Sequence, residues 1–348
     1  MDPFIIAQRK AAINFVRKCL VPDNADVRTD SGNEGNTESI LILAAEKGET
    51  TYLRVLIDAN VDIESYDKDG RTPLMLAVGN GDAACAELLI NAHANIDASD
   101  DSGKSPLIWA AEKGHKSCGK LLIDAKAKHG GKDCIYGKTA LILAAEGGHS
   151  AFTQLLVDAK ANLDVKEKMF GKTALMFAAE RGHTGCVQLL IDAKADLKTK
   201  SQQYGYTALM MAAENGHTAC LQLMVDAGAD LRVTDDDGMT ALMWAAYGGK
   251  MECVQLLIDA QADLDAQDNE GTTALMWAAD RDRPDCVQLL IEANADVGAE
   301  DDDGCTALAF AAESGHTTCA KLLIDASADL ECCNSDGRTP LIWAASKG

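Results

Sequence analysis

The chain has 348 residues, of which 47% are hydrophobic and 25% charged, as in ordinary globular proteins with a substantial core. Its formal net charge of −22 disfavours nucleic acid and anionic membranes as partners and favours basic ones. No apolar stretch approaches the roughly 18 residues of a membrane span, and MDPFIIAQRK is too short and too charged for a signal peptide. We therefore expect a cytoplasmic protein that binds neither nucleic acid nor membrane.

The first predicted elements are a capping helix and a polar loop within residues 1–36. The helix covers residues 2–20, because Asp2 suits the N-cap and Pro3 the first helical position. Apolar residues recur along it at Ile6, Ile13, Val16 and Leu20. The NADV sequence at 24–27 also occurs late in the chain, which indicates that the N-terminus is a half-repeat capping a stack.

The rest of the chain repeats with a period of 33 or 34 residues. The motif Gly-x-Thr/Ser-Pro/Ala-Leu begins at Gly70, Gly103, Gly137, Gly171, Gly205, Gly238, Gly271, Gly304 and Gly337. With a weaker first copy at 39–48, this makes ten repeats over residues 37–348. The chain ends after the first helix of repeat ten, so we expect either a fragment or an array without an ordinary C-terminal cap.

Each repeat holds two short helical segments, such as TALMWAAYGG and MECVQLLIDA, followed by a polar turn such as QADLDAQDNEG. A pair of helices this short cannot bury its apolar faces alone. The repeats must therefore stack on one another and share one core.

The repeat resembles the ankyrin repeat. The family pattern T-P-L-H-x-A is matched by T-[PA]-L-x-x-A-[AV], and its Gly-His pair by the dipeptides that end at His115, His149, His183, His217 and His316. The sequence pattern TALMxAA…GHxxCVQLL is similar to that of the ankyrin arrays of some unicellular parasites. The resemblance implies an all-α solenoid of stacked helix-turn-helix repeats with projecting hairpin turns, a fold often used to bind partner proteins. Ile108, Met243 and Ala309 replace the family's histidine, which predicts more apolar packing between repeats.

The cysteines and histidines indicate a structural role. Seven cysteines recur at the repeat interval: Cys85, Cys118, Cys186, Cys220, Cys253, Cys286 and Cys319. Helices pack about 8–10 Å apart, too far for a disulfide between repeats, so these are predicted to be reduced core residues. The His-x-x-Cys pairs offer two ligands per repeat, too few for zinc. No phosphate-binding or hydrolase motif occurs, and we predict no metal, no cofactor and no catalysis.

All four tryptophans occupy one position of the first helix. In ALMWAA, residues 241–246, Leu242, Ala245 and Ala246 form a stripe that faces the core, and Trp244 projects from the other side. In the resemblance this other side lines the concave groove. The aromatic and methionine members of this strip are Trp109, Phe177, Met211, Trp244, Trp277, Phe310 and Trp343. Three residues later stand Glu112, Glu146, Glu180, Glu214 and, in one repeat, Tyr247.

We predict that this strip contacts a partner with an apolar and basic segment, because Trp and Tyr are common interface anchors. The alternative is that the rings lie flat between repeats and serve packing alone. Helical periodicity fixes the face on which the rings lie but not their exposure to solvent.

Three consecutive turns carry one extra residue and an aromatic residue before the glycine, namely Tyr136, Phe170 and Tyr204. Residues 124–204 contain 12 Lys and Arg against 9 Asp and Glu, a net charge of +3, whereas the remainder carries −25. Turn tips in such arrays project towards partners, so we predict a second contact row here. The alternative is an ordinary solvated surface.

These patterns predict a non-catalytic, monomeric scaffold that binds another protein through its groove and turn tips. Two alternatives remain open at this point. One is a structural spacer or self-assembling element that docks through the exposed end of repeat ten, and the other is the regulatory part of a longer, kinase-like protein.

Overall fold

The computed structural model describes residues 3–20 and 38–347. In this part of the chain all regular structure is helical, except for one isolated antiparallel bridge between Lys132 and Thr139. No helix here is both long and apolar enough to cross a membrane. The predicted Asp2 cap, the NADV sequence and the polar loop up to residue 37 lie outside the described residues.

Helix α1 spans Pro3–Leu20, as predicted, and buries Ile13, Val16 and Leu20 against the first repeat. The first helices of the repeats are α2 Glu38–Glu46, α4 Pro73–Gly79, α6 Pro106–Lys113, α8 Ala140–Glu146, α10 Ala174–Glu180, α12 Ala208–Asn215, α14 Ala241–Tyr247, α16 Ala274–Asp280, α18 Ala307–Ser314 and α20 Pro340–Lys347. The second helices are α3 Thr50–Asp58, α5 Ala83–Asn91, α7 Lys116–Asp124, α9 Ser150–Asp158, α11 Thr184–Asp192, α13 Thr218–Asp226, α15 Met251–Asp259, α17 Pro284–Glu292 and α19 Thr317–Asp325.

The chain comprises two compact units, Met1–Asn162 and Leu163–Gly348. In the first unit α1 packs on α2 and α3, and the following repeats stack in sequence order. In the second unit α10, α12, α14, α16, α18 and α20 stack as one row, while α11, α13, α15, α17 and α19 form the other. The predicted stacking of repeats into a shared core is confirmed within each unit.

From α4 to α16 each first helix follows a threonine or serine whose side chain accepts a backbone N–H of the first turn. Thr306 before α18 makes no such bond. Thr240 accepts the N–H of Met243 at 3.3 Å, and the Met243 sulfur accepts the N–H of Thr240 in return, also at 3.3 Å. Four other repeats with Met at this position make the same exchange. The methionine that replaces the family's histidine therefore packs in the core and also caps the helix.

The predicted roles of the recurrent histidines and cysteines are confirmed. His115 occupies the N-cap of α7, and its Nε2 donates to the carbonyl of Gly79 in the preceding repeat at 3.1 Å. Equivalent bonds come from His149, His217 and His316. All seven recurrent cysteines are buried and remain thiols.

Candidate functional site

The tryptophans lie on the face that helical periodicity predicts. In α14, Leu242, Ala245 and Ala246 are buried in the core, and Trp244 emerges on the other side, half-buried. Trp109, Trp277, Phe310 and Trp343 are half-buried as well. One surface of each ring therefore remains open to solvent while the other packs against the stack.

Two predicted members of the strip are not available to a partner. Phe177 is only 6% exposed and Met211 only 2%, so the prediction of exposure is wrong for both. The Lys172 ammonium lies 5.6 Å from the centre of the Phe177 ring and helps to cover it. Met211 is unbranched and lacks a polar group, so it packs fully into the stack.

Part of the Trp109 ring surface packs against a neighbouring repeat, as the alternative of pure packing predicts. In the first compact unit, a Cβ atom at Gly79 would lie 3.7 Å from Cε3 of Trp109. The indole thus rests on the preceding repeat at a position where the chain has no side chain. The rings are neither fully exposed nor sealed between repeats.

Each of three indoles is tied to the turn that precedes its helix. Trp244 Nε1 donates to Oδ2 of Asp235 at 2.8 Å, and Oδ1 of the same aspartate accepts two backbone N–H groups of the turn. Trp109 and Asp100, and Trp277 and Asp268, make the same bond at 2.9 Å. Sequence reasoning missed this pairing, although an aspartate nine residues before each of these tryptophans was a readable signal.

The predicted acidic row is partly neutralised by the chain's own lysines. Lys104 binds Glu112 at 2.7 Å and Lys172 binds Glu180 at 2.9 Å. Lys138 and Glu146 form the same pair. Each lysine directly follows the turn glycine, eight residues before its glutamate. The expectation that these three glutamates stand open to a basic partner is therefore wrong. Glu214 differs from them, because it forms no ion pair within the described residues.

Five aromatic rings of the second compact unit form one continuous row, which we call the aromatic ladder: Tyr204, Tyr206, Trp244, Tyr247 and Trp277. Successive ring centres are 5.8, 5.1, 5.6 and 5.5 Å apart, within the range of favourable aromatic pairs. The Arg281 guanidinium stands over Tyr247 at 4.5 Å and Trp277 at 5.8 Å. The ladder joins Tyr204 of the turn row to the first-helix strip, two features that sequence reasoning treated as separate.

Tyr206 makes this connection. The sequence prediction did not include it, because that prediction concerned the aromatic residue before each turn glycine and Tyr206 follows Gly205. Tyr204 and Gly205 are both left-handed, with φ of 69° and 66°. A Cβ at Gly205 would lie 3.0 Å from the backbone N of Asp236, so only glycine fits. The extra residue in this turn thus projects Tyr204, which is 54% exposed, beside Tyr206.

The other two aromatic turns are also exposed at their tips, as predicted. Tyr136 and Phe170 are open to solvent, and a buried carboxylate holds each turn by accepting backbone N–H groups, Asp133 in one and Glu167 in the other. Lys138 lies 5.5 Å from the Tyr136 ring centre. These tips present rings and cations together, although neither belongs to the aromatic ladder.

The acid groups at the Tyr204 end of the ladder are costly to ionise. Burial, together with the negative charge of Glu180, raises the pKa of Glu214. Burial also raises the pKa of Asp235, and the pKa of Tyr206 is raised by burial, Glu214 and Asp235 in that order. Burial is the largest cause of each pKa shift, and the smaller part that comes from neighbouring carboxylates would also attract a cation.

No group of three or more His, Cys, Asp or Glu residues in the described ranges has the arrangement of a metal site. A cavity of about 730 Å³ lies between α11, α13 and their following turns, lined by residues such as Gln188, Asp192 and Asp226. Its lining does not include any residue of the aromatic ladder. The ladder combines partly exposed rings with a nearby carboxylate, Glu214, that forms no ion pair with a described residue.

Comparison with known proteins identifies the family to which this fold belongs. A family profile described as "Ankyrin repeats (3 copies)" matches residues 4–100, 81–167, 149–235, 221–301 and 285–348. A solved structure, described as the ankyrin repeat domain of Bcl-3, a member of the IkappaB protein family, is 31% identical with a TM-score of 0.54. The similarity covers 60% of this chain and 94% of that one. A search of curated proteins finds no match.

Ankyrin repeats generally mediate protein–protein interaction and are typically non-catalytic. Because the profile matches from residue 4 to 348 and repeated helix pairs stack within each compact unit of the described residues, the chain belongs to the ankyrin-repeat family.

Proposed function

We propose that this chain is a scaffold that binds a partner protein through the aromatic ladder of its second compact unit. The observation that carries the proposal is the unbroken contact of five partly exposed rings from the turn tip at Tyr204 to Trp277 in the groove. Aromatic surface of this extent is typical of recognition sites, since Tyr and Trp supply large contact area with little conformational freedom to lose.

Contacts within the chain hold the rings of the ladder in place before a partner binds. Hydrogen bonds to Asp235 and Asp268 hold the indoles of Trp244 and Trp277, and edge-to-face contacts hold Tyr247 between them. A surface that is already ordered loses less entropy on binding, which favours affinity. The partner surface should be apolar opposite the rings and basic near Glu214.

The test uses substitutions that the repeats themselves accommodate. Tyr247→Glu introduces the residue found at this position in six other repeats, and Tyr204→Asn suits a left-handed backbone. Both should leave the fold intact and break the ladder. Tyr66→Asn is the matched control, because Tyr66 is 72% exposed in the first compact unit and lies outside the ladder.

The wild type, the Tyr204→Asn/Tyr247→Glu double variant and the control should be compared in quantitative capture from the source cell. We expect some proteins to be retained equally by the wild type and the control but lost by the double variant. With such a protein purified, the double substitution should weaken binding by about 2 kcal/mol or more. Equal affinity for wild type and double variant would refute the ladder as the binding surface.

A second candidate is self-association through α20, because Leu341 is 77% exposed there beside other open apolar side chains. If this surface mediates assembly, light scattering should give a larger mass for the wild type than for Leu341→Lys or for a chain without residues 338–348. Equal masses would exclude it. The buried thiols are consistent with the proposal that the chain works in a reducing compartment such as the cytoplasm.

A further inference from the structure

The chain builds one kind of cation slot repeatedly beside the first helices of its repeats. Lys104 contacts Glu112 at 2.7 Å and stands 4.8 Å from the centre of the Trp109 ring. Lys172 contacts Glu180 at 2.9 Å and lies over aromatic rings in the same way. In each slot a carboxylate neutralises the ammonium while a ring face adds a cation–π contact.

Repeat six keeps the glutamate of this arrangement but lacks the lysine. The residue after the turn glycine is Tyr206, and Glu214 follows eight residues later. Glu214 is half-buried and makes no ion pair with a described residue. The cations that act on it from a distance are Lys172, which is bound to Glu180, and Lys250. A half-buried carboxylate is partly desolvated, so a cation supplied beside it would stabilise its charged form.

The ring side of the slot has a different origin in repeat six, where Met211 replaces the strip ring of the same repeat. Tyr206, which interacts electrostatically with Glu214, stands 5.1 Å from Trp244 of the next repeat, and no described cation lies over either ring. At the other end of the ladder Arg281 shows how a guanidinium fits: it lies over Tyr247 at 4.5 Å and binds Asp280 at 3.1 Å. The Glu214 end offers the same two components, carboxylate and aromatic face, without the cation.

We propose that Glu214 and the adjacent rings of Tyr206 and Trp244 form an open slot for a lysine or arginine side chain of the partner protein. This inference rests on the proposed function and adds the chemistry of one contact to it. The slot selects an organic cation over a divalent metal, because Ca²⁺ needs about six oxygen ligands and the neighbouring carboxylates are already engaged, Glu180 by Lys172 and Asp235 by Trp244 and its own turn. The raised pKa of Glu214 agrees with a site that gains from a positive partner.

The test is selection of a random peptide library on immobilised wild-type chain, followed by affinity measurement by fluorescence anisotropy. Peptides that lose binding to Tyr204→Asn/Tyr247→Glu identify ligands of the ladder. Among these, we expect Lys or Arg to be enriched, and Glu214→Gln to weaken binding about tenfold. Replacing the selected Lys by norleucine, or Arg by citrulline, should cause the same loss on wild type and little further loss on Glu214→Gln.

Three further variants isolate the slot. Tyr206→Lys supplies the missing internal lysine and should displace the peptide cation, although the carboxylate remains. Because it also removes a ladder ring, Tyr206→Met is measured beside it and should cause the smaller loss. Glu146→Gln is the control, because Glu146 has its own lysine in the first compact unit and should leave peptide affinity unchanged. Thermal unfolding of each variant verifies that it is folded.

The outcomes separate the two proposals. Ladder-dependent peptides without basic enrichment, bound equally by wild type and Glu214→Gln, would overturn the cation slot and leave the proposed function standing. An absence of ladder-dependent peptides would count against both.

Discussion

The indole Nε1 of Trp244 donates a 2.8 Å hydrogen bond to Oδ2 of Asp235, which fastens the groove face of α14 to the preceding turn. The other carboxylate oxygen accepts backbone N–H groups of that turn, so one side chain orders both turn and ring. Trp343 has Asn334 at the corresponding position, and its buried Nε1 has no hydrogen-bond partner among the described residues. This difference makes the bond testable in both directions.

Asp235→Asn is expected to lower the free energy of unfolding by about 1 kcal/mol, because an amide NH₂ in place of the acceptor leaves a partly buried indole N–H without its partner. The remaining amide oxygen can still accept the backbone N–H groups of the turn. Urea denaturation followed by circular dichroism measures the loss. Asp237→Asn, on an exposed neighbour, is the control, and an equal loss in both variants would contradict the interpretation.

Asn334→Asp is expected to act in the opposite sense and stabilise the chain by about 1 kcal/mol, since it supplies the acceptor that Trp343 lacks. Slower hydrogen exchange of the Trp343 indole N–H is the direct measurement. The gain should disappear in a Trp343→Phe background, where no indole N–H remains. A gain that persists there would have to come from another effect of the new charge.

The pH dependence of stability should reveal Glu214. Its folded-state pKa is raised above the ordinary value of 4.5, so its contribution to stability is full below that pH and is lost as pH rises through the folded pKa. Gln does not titrate, so the stability of Glu214→Gln relative to wild type should increase from about pH 4 to pH 7. A difference independent of pH would show that the carboxylate is not perturbed.

Asp67 provides a control of opposite sign. Burial acts to raise its pKa, but hydrogen bonds from Arg71 outweigh burial and lower the pKa below the ordinary 3.8. Its contribution is therefore present above pH 3.8 and is lost as pH falls through the folded pKa. Asp67→Asn should cost most near neutral pH and least in acid.

Thiol reactivity should follow burial. Burial raises the pKa of Cys85 and Cys118 to about 11 and that of Cys319 to about 12, and only the thiolate reacts with iodoacetamide. In the native protein we expect the exposed Cys134 and Cys333 to be labelled first, and the seven recurrent cysteines to be labelled only when the repeats open. Peptide mass spectrometry after timed labelling measures this order, and rapid native labelling of Cys118 would contradict it.

Much of the fold could be predicted from the sequence alone. The period located every repeat, because the turn glycines and the apolar stripes recur at fixed positions that permit only stacking. Helical periodicity also placed Trp244 opposite Leu242 correctly, since the angle between side chains depends only on the local helix. The same local rules identified the recurrent cysteines as core and the histidines as helix starts.

Tertiary structure decided which of the predicted site residues remain open. Phe177 and Met211 are buried although they share the position of Trp244, because exposure depends on which side chains of neighbouring elements cover a residue. Glu112 and Glu180 proved to be paired with lysines of the preceding turns, and Tyr206 proved to join the turn row to the groove. Sequence thus determined the period and the direction of each side chain, which are local properties of a helix. The bonding and the continuity of the surface arise only where separate repeats meet in space.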